Sequence, residues 1–306
     1  MKKRKIAVLM GGWSSEREVS LSSGKECAAA LSARGHDVRT IDVTRDLGAL
    51  TKALKPRPDV VFNALHGRGG EDGTVQGILE FLRIPYTHSG VLASAVAMDK
   101  PMAKAVFAKA GLPLVEGAVV PREKLGVADP LPAPFVVKPT NEGSSVGVRI
   151  VRPNDNSWHE EARGWAYDEA LVERFIPGRE ITVAVMGDRA LGVCEIRPRG
   201  TFYDYTSKYA VGGSDHIIPA PIHKRAYEEA LEIGLRAHRA LGCRGVSRAD
   251  LRYDDTAGEP GRLYLLEINT QPGMTPTSLV PDVARHVGID FGALVDWIVE
   301  NAACDS

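Results

Sequence analysis

Glu267 and Asn269 stand one residue apart at the end of the apolar run Leu265-Leu-Glu-Ile-Asn269, just before Thr270-Gln-Pro-Gly273 and a hydroxyl-rich turn. A strand repeats every two residues, so both side chains face the same side of a sheet. Both offer hard oxygen, with no His or Cys beside them. Such donors suit Mg²⁺, which takes one or two carboxylates and fills its shell with substrate phosphates. Taken alone, the pair fits a solvated strand end equally well. Asp250 lies with Arg248 on one face of a neighbouring strand over residues 246–253. A salt bridge to Arg248 or Arg252 is the common fate of such an aspartate, but the three oxygen donors together favour metal.

Lys138 ends the run Phe135-Val-Val-Lys138 and precedes Pro139 and the loop Thr140-Asn-Glu-Gly-Ser-Ser-Val146. A glycine- and serine-rich connection between strands can fold over phosphates with its N–H groups and hydroxyls. A lysine at its mouth would meet that charge. Lys100, beside Pro101, is a second candidate, though an isolated surface lysine describes it as well. Glu16, Ser144, Ser145, Tyr209 and Ser278 form a carboxylate and hydroxyl set. No trustworthy Ser-His-Asp order accompanies them and G-x-S-x-G is absent, so they fit orientation and proton traffic better than covalent catalysis. His66, in Leu65-His-Gly-Arg-Gly-Gly-Glu-Asp-Gly73, follows a strand and precedes a helix N-terminus, a favourable place for a substrate carboxylate. A lone histidine is more often structural. Lysines beside a phosphate-covering loop, oxygen ligands for Mg²⁺ and anion sites together serve phosphoryl transfer from ATP, which is mostly positioning and charge neutralisation. Other nucleotide motifs do not fit: Met10-Gly-Gly-Trp-Ser-Ser-Glu16 lacks G-x-G-x-x-G spacing, and G-x-x-x-x-G-K-[ST] is absent.

These residues need a scaffold. Residues 6–10 read as a strand buried on both faces, followed by a glycine turn and a helix opened by a Ser15…Glu18 capping box. Strands over 38–43 and 59–65 and helices over 47–54 and 74–82 continue a β-α rhythm, which predicts a small parallel sheet with helices on both sides. Residues 85–89 read as an edge strand. Residues 91–110 read as two helices breaking at Asp99-Lys100, because proline disfavours helix at the residue before it. Beyond Leu114 strands shorten and prolines multiply. A hairpin over 181–195 follows, then a polar stretch over 198–217 without periodicity, a helix over 222–241, strands over 246–253 and 263–268, and a helix over 291–299. The fold class is α/β, with α+β character in the second half. The chain divides into 1–98, 99–180 and 181–306, the last carrying a lid over 198–217. That lid should be mobile without ligands and ordered with ATP.

With 306 residues the chain can bury a large core. Its 38 basic and 39 acidic side chains nearly cancel, which argues against nucleic acid or a membrane surface as the main partner. Cys27, Cys194, Cys243 and Cys304 are scattered and read as reduced thiols, and no run spans a bilayer. The expectation is a soluble cytoplasmic protein.

The chain resembles the D-alanine–D-alanine ligases of the ATP-grasp superfamily nearly end to end. The resemblance runs through Gly11-Gly-Trp-Ser-Ser-Glu-Arg-Glu-Val-Ser20, His66 to Gly73, Met98-Asp-Lys100, Val137-Lys-Pro139, Glu142-Gly-Ser-Ser-Val-Gly147, Phe202-Tyr-Asp-Tyr-Thr-Ser-Lys-Tyr209 and Leu265 to Val280. It implies that ATP phosphorylates one D-alanine and the amine of a second attacks the acyl phosphate through a tetrahedral intermediate, supplying a peptidoglycan precursor. It also implies that Lys100 and Lys138 contact ATP phosphates, that Ser145 binds ATP, and that Glu173, Phe175, Ile176 and Glu180 surround adenine and ribose. Asp250, Glu267 and Asn269 would bind two Mg²⁺, with Mn²⁺ as a substitute. Arg248 and the Gly273 N–H would face the oxyanion. Glu16 would hold the first ammonium, His66 would lie near its carboxylate, and Ser278 with the Leu279 backbone would hold the second carboxylate. Glu16, Ser144 and Tyr209 would close the site, Lys208 would reach the transferred phosphate, and the assembly would be a homodimer. Asn141 and Gln271 stand at positions expected to vary, and Trp13 is bulky for its turn. Tyr209 favours an amine nucleophile over D-lactate. Two other readings stay open: a ligase using another second substrate such as D-lactate, and a nucleotide-binding relative without turnover.

Overall fold

The computed structural model describes residues 3–144, 146–155, 157–198, 213–275 and 278–305. Strand β1 (Lys5–Gly11) lies between β2 (Asp37–Val43) and β3 (Val60–Asn63) in a parallel sheet of order β2-β1-β3. Its apolar run is continuous because both faces are covered. Ile6 and Val8 pack with Cys27 and Leu31 of helix α1 (Arg17–Ala33). Ala7 and Leu9 point the other way, toward Leu50 of α2 (Leu47–Ala53) and Val75 and Leu79 of α3 (Thr74–Phe81). Leu9 pairs with Ile41 on one side and Asn63 on the other. The turns after β1 and β3 therefore open side by side at the carboxyl edge of the sheet, where ligands bind in such folds.

Two local expectations are corrected here. The Ser15…Glu18 capping box does not form: α1 starts at Arg17, with Glu16 at the N-cap and no side-chain cap bond. Ser14 Oγ instead accepts from the Glu16 N–H at 3.2 Å and donates to the His66 carbonyl at 2.6 Å. The stretch 85–89 forms no strand and contributes two isolated bridges at Tyr86, parallel to Val61 and antiparallel to Ala303.

Helices α4 (Val91–Met98) and α5 (Lys100–Lys109) break at Asp99, as the Lys100-Pro101 pair predicts. Asp99 is extended and its carboxylate accepts from the Met102 N–H at 3.0 Å, while Pro101 sits in the first turn, where no helical N–H is needed. Four antiparallel strands follow: β4 (Gly117–Pro121), β5 (Phe135–Lys138), β6 (Arg149–Val151) and β7 (Glu169–Arg174), in order β4-β7-β5-β6. Helix α6 (Trp158–Arg163) covers them, with Trp158 edge-on to Phe135 at 5.7 Å.

The third sheet holds β8 (Arg179–Met186), β9 (Arg189–Pro198), β10 (Ser214–Ile217), β11 (Val246–Asp254) and β12 (Arg262–Asn269), in order β10-β9-β8-β11-β12. Val183 and Val185 face α7 (Lys224–Ala240) through Ile233 and Ala237. Ala184 faces α8 (Leu279–His286) and α9 (Phe291–Glu300), whose apolar side chains share one core with α1 and β1. The stretch 198–217 is not wholly irregular: Pro198 closes β9, and Ser214 to Ile217 pair with Pro198 to Glu195. Residues 199–212 lie outside the described residues, and the expected lid motion falls on them. Among the described residues no helix is long and apolar enough to cross a membrane.

Two buried histidines tie stability to pH. Burial pushes His88 down to about 3, and both its ring nitrogens lack a partner among the described residues. Burial likewise pushes His238 down to about 4. Both are neutral in the fold, whereas an unfolded histidine takes a proton below its ordinary value of 6.5. Stability is thus fully present above pH 6.5 and is lost as pH falls toward the folded values, by about 2 kcal/mol per histidine at pH 5. Denaturant unfolding at pH 7 and pH 5 should show a loss that shrinks by about that amount in His88→Asn and in His238→Gln. The same pH dependence in all three proteins would contradict this account.

Candidate active site

The carboxyl edge of the first sheet meets the end of β12 across a cavity of ≈ 90 Å³. Glu16, at the start of α1, enters from one side and is buried. Its carboxylate accepts from Ser144 Oγ, in the loop after β5. Ser144 has φ 51, a left-handed backbone that a non-glycine residue adopts only when its surroundings hold it there. A Cβ on Gly67 would stand 2.9 Å from Glu16 Oε2, so the His66 turn can approach Glu16 only as glycine.

His66 lies on the same side. Its Nδ1 is 3.0 Å from Glu71 Oε1 and its Nε2 is 3.2 Å from Ser23 Oγ. Burial pulls the imidazolium down, but the Glu71 carboxylate outweighs it and holds the ring above its ordinary value. Glu71 is the partner that sequence reasoning missed, although it sits in the same turn five residues on.

The opposite wall is β11 and β12. Asp250 pairs in register with Glu267, and Arg248 with Asn269. Two-residue periodicity puts all four on one face. Of the fates open to Asp250, the structure contains the bidentate pair with Arg248: Nε to Oδ1 at 2.8 Å and Nη2 to Oδ2 at 2.6 Å. Thr182 on β8, not foreseen from sequence, donates to Asp250 Oδ1 at 2.7 Å. Arg252 turns away to Glu180 at 3.7 Å. Lys100 Nζ lies 3.4 Å from Glu267 Oε2, and the Lys100 N–H donates to the Thr140 carbonyl at 2.9 Å, which anchors α5 beside the serine and glycine loop. Gly273 and Ser278 close the cavity; a Cβ on Gly273 would fall 2.9 Å from Ser278 Oγ. Ser278 Oγ accepts from the Thr275 N–H at 2.9 Å, and Leu279 begins α8.

A second cavity, of ≈ 660 Å³, lies between the two antiparallel sheets. Lys138, Glu173, Phe175, Ile176 and Glu180 line it. Glu173 is buried; Lys138 Nζ stands 2.5 Å from its Oε2, and Lys104 pairs with its Oε1. Burial alone would raise this carboxyl, yet the two lysines hold it below its ordinary value. Lys104 is a further member that the sequence did not announce. Lys100, Glu142, Gly143 and Glu267 line both cavities. The structure thus gathers the residues read from sequence into two adjoining cavities, except Ser145, Lys208 and Tyr209, which lie outside the described residues. Gln271 is fully buried.

The arrangement has close counterparts. Residues 106–300 match the sequence family described as D-ala D-ala ligase C-terminus, and residues 47–89 the family described as D-ala D-ala ligase N-terminus. The chain is 59% identical over 302 residues to the D-alanine–D-alanine ligase of Granulibacter bethesdensis, with 98% of each chain covered. It is 60% identical over 302 residues to that of Acidiphilium cryptum, with 98% of this chain and 99% of the relative covered. Among solved structures, the D-alanine–D-alanine ligase of Bacillus anthracis complexed with ATP matches with a TM-score of 0.81 at 33% identity, over 98% of this chain and 97% of that one. Sheet architecture, matched motifs and full-length identity agree: with its ATP-grasp fold, this chain belongs to the D-alanine–D-alanine ligase family.

Proposed function

We infer that the chain joins two molecules of D-alanine to D-alanyl-D-alanine, with ATP converted to ADP and phosphate. The observation that carries this reading is the adjacency of the cavities. A large one beside Lys138 suits a nucleotide, a small one suits amino acids, and Lys100 and Glu267 stand where they meet.

A carboxylate is a poor electrophile until one of its oxygens becomes a leaving group. In this reading the large cavity takes ATP, with Phe175 and Ile176 against the base and Glu173 and Glu180 beside the nucleoside. Lys100, Lys138 and Ser145 hold the phosphates, and Lys208 reaches the one transferred. Glu16 holds the ammonium of the first D-alanine and His66 lies near its carboxylate. Transfer of the γ-phosphoryl group to that carboxylate gives an acyl phosphate and ADP. Ser278 and the Leu279 backbone hold the second D-alanine by its carboxylate, so that its amine faces the acyl carbon. Attack forms the C–N bond; Arg248 and the Gly273 N–H stabilise the oxyanion; collapse releases phosphate. Glu16, Ser144 and Tyr209 orient the site and relay the amine proton.

The donor set suits Mg²⁺ or Mn²⁺. Asp250 and Glu267 are cross-strand neighbours, and Asn269 adds an amide oxygen beside them. A carboxylate oxygen has two lone pairs, so Asp250 Oδ2 can bind metal while it accepts from Arg248. Among the described residues no three His, Cys, Asp or Glu side chains cluster, so further ligands would come from phosphate oxygens. Divalent metal held there would neutralise phosphate charge.

We also read the chain as three units, 1–98, 99–180 and 181–306. Each sheet falls within one of them to two residues, β8 starting at Arg179. A cytoplasmic homodimer serving peptidoglycan synthesis fits this activity. The test is phosphate release with Mg-ATP and D-alanine, followed by product identification with and without D-lactate. D-alanine-dependent release and the dipeptide are expected. No release above background would sink the ligase reading, and a depsipeptide as the main product would assign another second substrate.

A further inference from the structure

One pair of buried amides bridges the two walls of the small cavity, and the roles above do not use it. Asn63 ends β3 and Gln271 follows Asn269 by two residues; they are 0% and 1% exposed. Asn63 Nδ2 donates to Gln271 Oε1 at 2.7 Å and to the Gly70 carbonyl at 3.0 Å. Asn63 Oδ1 accepts from the Leu65 N–H at 3.2 Å. Gln271 Nε2 donates to the Leu65 carbonyl. The Gln271 N–H donates to Asn269 Oδ1 at 2.8 Å. Hydrogen bonds thus link the backbone of the His66 turn to the Gln271 side chain through both amides, and the Gln271 backbone N–H in turn holds the Asn269 side chain.

These bonds join segments more than 200 residues apart in sequence, since the two amides are separated by 208. Each amide uses both its donor and its acceptor end, which fixes its orientation. Breaking one bond orphans a buried polar group, so the spacing is held stiffly. Neither side chain is among the described residues lining the small cavity.

We propose that Asn63 and Gln271 are positioning residues: their amide pair sets the distance between the His66 turn and the Asn269–Gly273 stretch, and with it the alignment of one bound D-alanine against the other. This rests on the ligase reading. A reaction between two bound molecules is sensitive to displacement: about 1 Å can cost 10²-fold. The nucleotide cavity is built mainly from other strands, so ATP binding should be spared.

The test compares wild type, Asn63→Leu, Gln271→Met and the double variant, by melting temperature without ligands and by separate kinetics for ATP and D-alanine. Each single variant should melt earlier and lose about 10–100-fold in kcat/KM for D-alanine, with the KM for ATP within about twofold. The double variant removes both partners of the mutual bond, so its melting temperature should exceed the value expected from adding the single losses. Its loss in kcat/KM for D-alanine should persist. Gln271→Asn keeps the amide but is one methylene shorter; it gives the same readout if the apolar variants do not fold. Wild-type kinetics in the double variant or in Gln271→Asn, or equal losses toward ATP and D-alanine, would overturn the proposal. If wild type shows no D-alanine-dependent phosphate release, the ligase reading falls and takes this one with it. Active wild type with kinetically unaffected variants sinks this one alone.

Discussion

Arg248→Lys should lower kcat by about 10²–10³ while leaving the KM for ATP nearly unchanged, because in the proposed mechanism it removes a preorganised donor aimed at charge that develops only in the transition state. The guanidinium is locked by its two bonds to Asp250 and reaches the cavity from β11, opposite Asn269. A planar fork can bind a carboxylate along one edge and still present an N–H along another. Lysine has a single ammonium: if it pairs with Asp250 it cannot also stand where the fork stood. The substitution keeps the positive charge, so Asp250 is not abandoned and the melting temperature should change little. Arg248→Met differs on that point. It leaves the largely buried Asp250 without its cation, which costs about 3–5 kcal/mol in such pairs, and should lower both activity and stability. Steady-state kinetics beside thermal melts separate the two effects. A lysine variant with kcat within about threefold of wild type would remove Arg248 from the oxyanion role.

What the sequence makes legible is local. Strand β1 announces its two-sided burial by an unbroken apolar run, and Asp99 announces the helix break by the proline two residues on. Glu267 and Asn269 share a face because the strand period allows nothing else. Strand β4 is mostly exposed and helix α6 has only six residues, so neither produces a clear pattern. Helix α8 is disguised by Pro281, which is tolerated because it lies in the first turn. The site partners left unread are those set by tertiary contact. Lys104 meets Glu173 across 69 residues of chain and Gln271 meets Asn63 across 208. No periodicity encodes such pairs. The family resemblance assigns expected roles to residues, but it conveys nothing of the packing of this chain, such as the burial of Gln271.

Glu267→Gln should lower turnover by about 10³-fold or more with the fold intact, the notable case of a substitution that removes charge and almost nothing else. Glutamine matches glutamate in size. The side chain is 30% exposed and stands opposite Asp250 in register, so packing and strand pairing survive. Substitutions at such positions usually stay within about 0.5 kcal/mol. What changes is the field where the two cavities meet. Glu267 is one of the two carboxylates proposed to hold metal, and the other, Asp250, is already shared with Arg248. In the proposed metal site the variant keeps Asp250 as the one carboxylate ligand, which should weaken the hold on divalent metal. Lys100, 3.4 Å from Glu267, also loses its nearby counter-charge. Its ammonium then turns more fully to ATP phosphates, so nucleotide binding measured with EDTA should stay equal or tighten, whereas binding with Mg²⁺ should no longer gain from the metal. That opposite response separates a metal-binding carboxylate from one that only pairs with Lys100. If the pair with Lys100 were its whole purpose, the variant would melt earlier and still turn over. Normal turnover at ordinary Mg²⁺ would therefore remove Glu267 from the metal site, and an unchanged gain from Mg²⁺ in nucleotide binding would do the same without any reaction taking place.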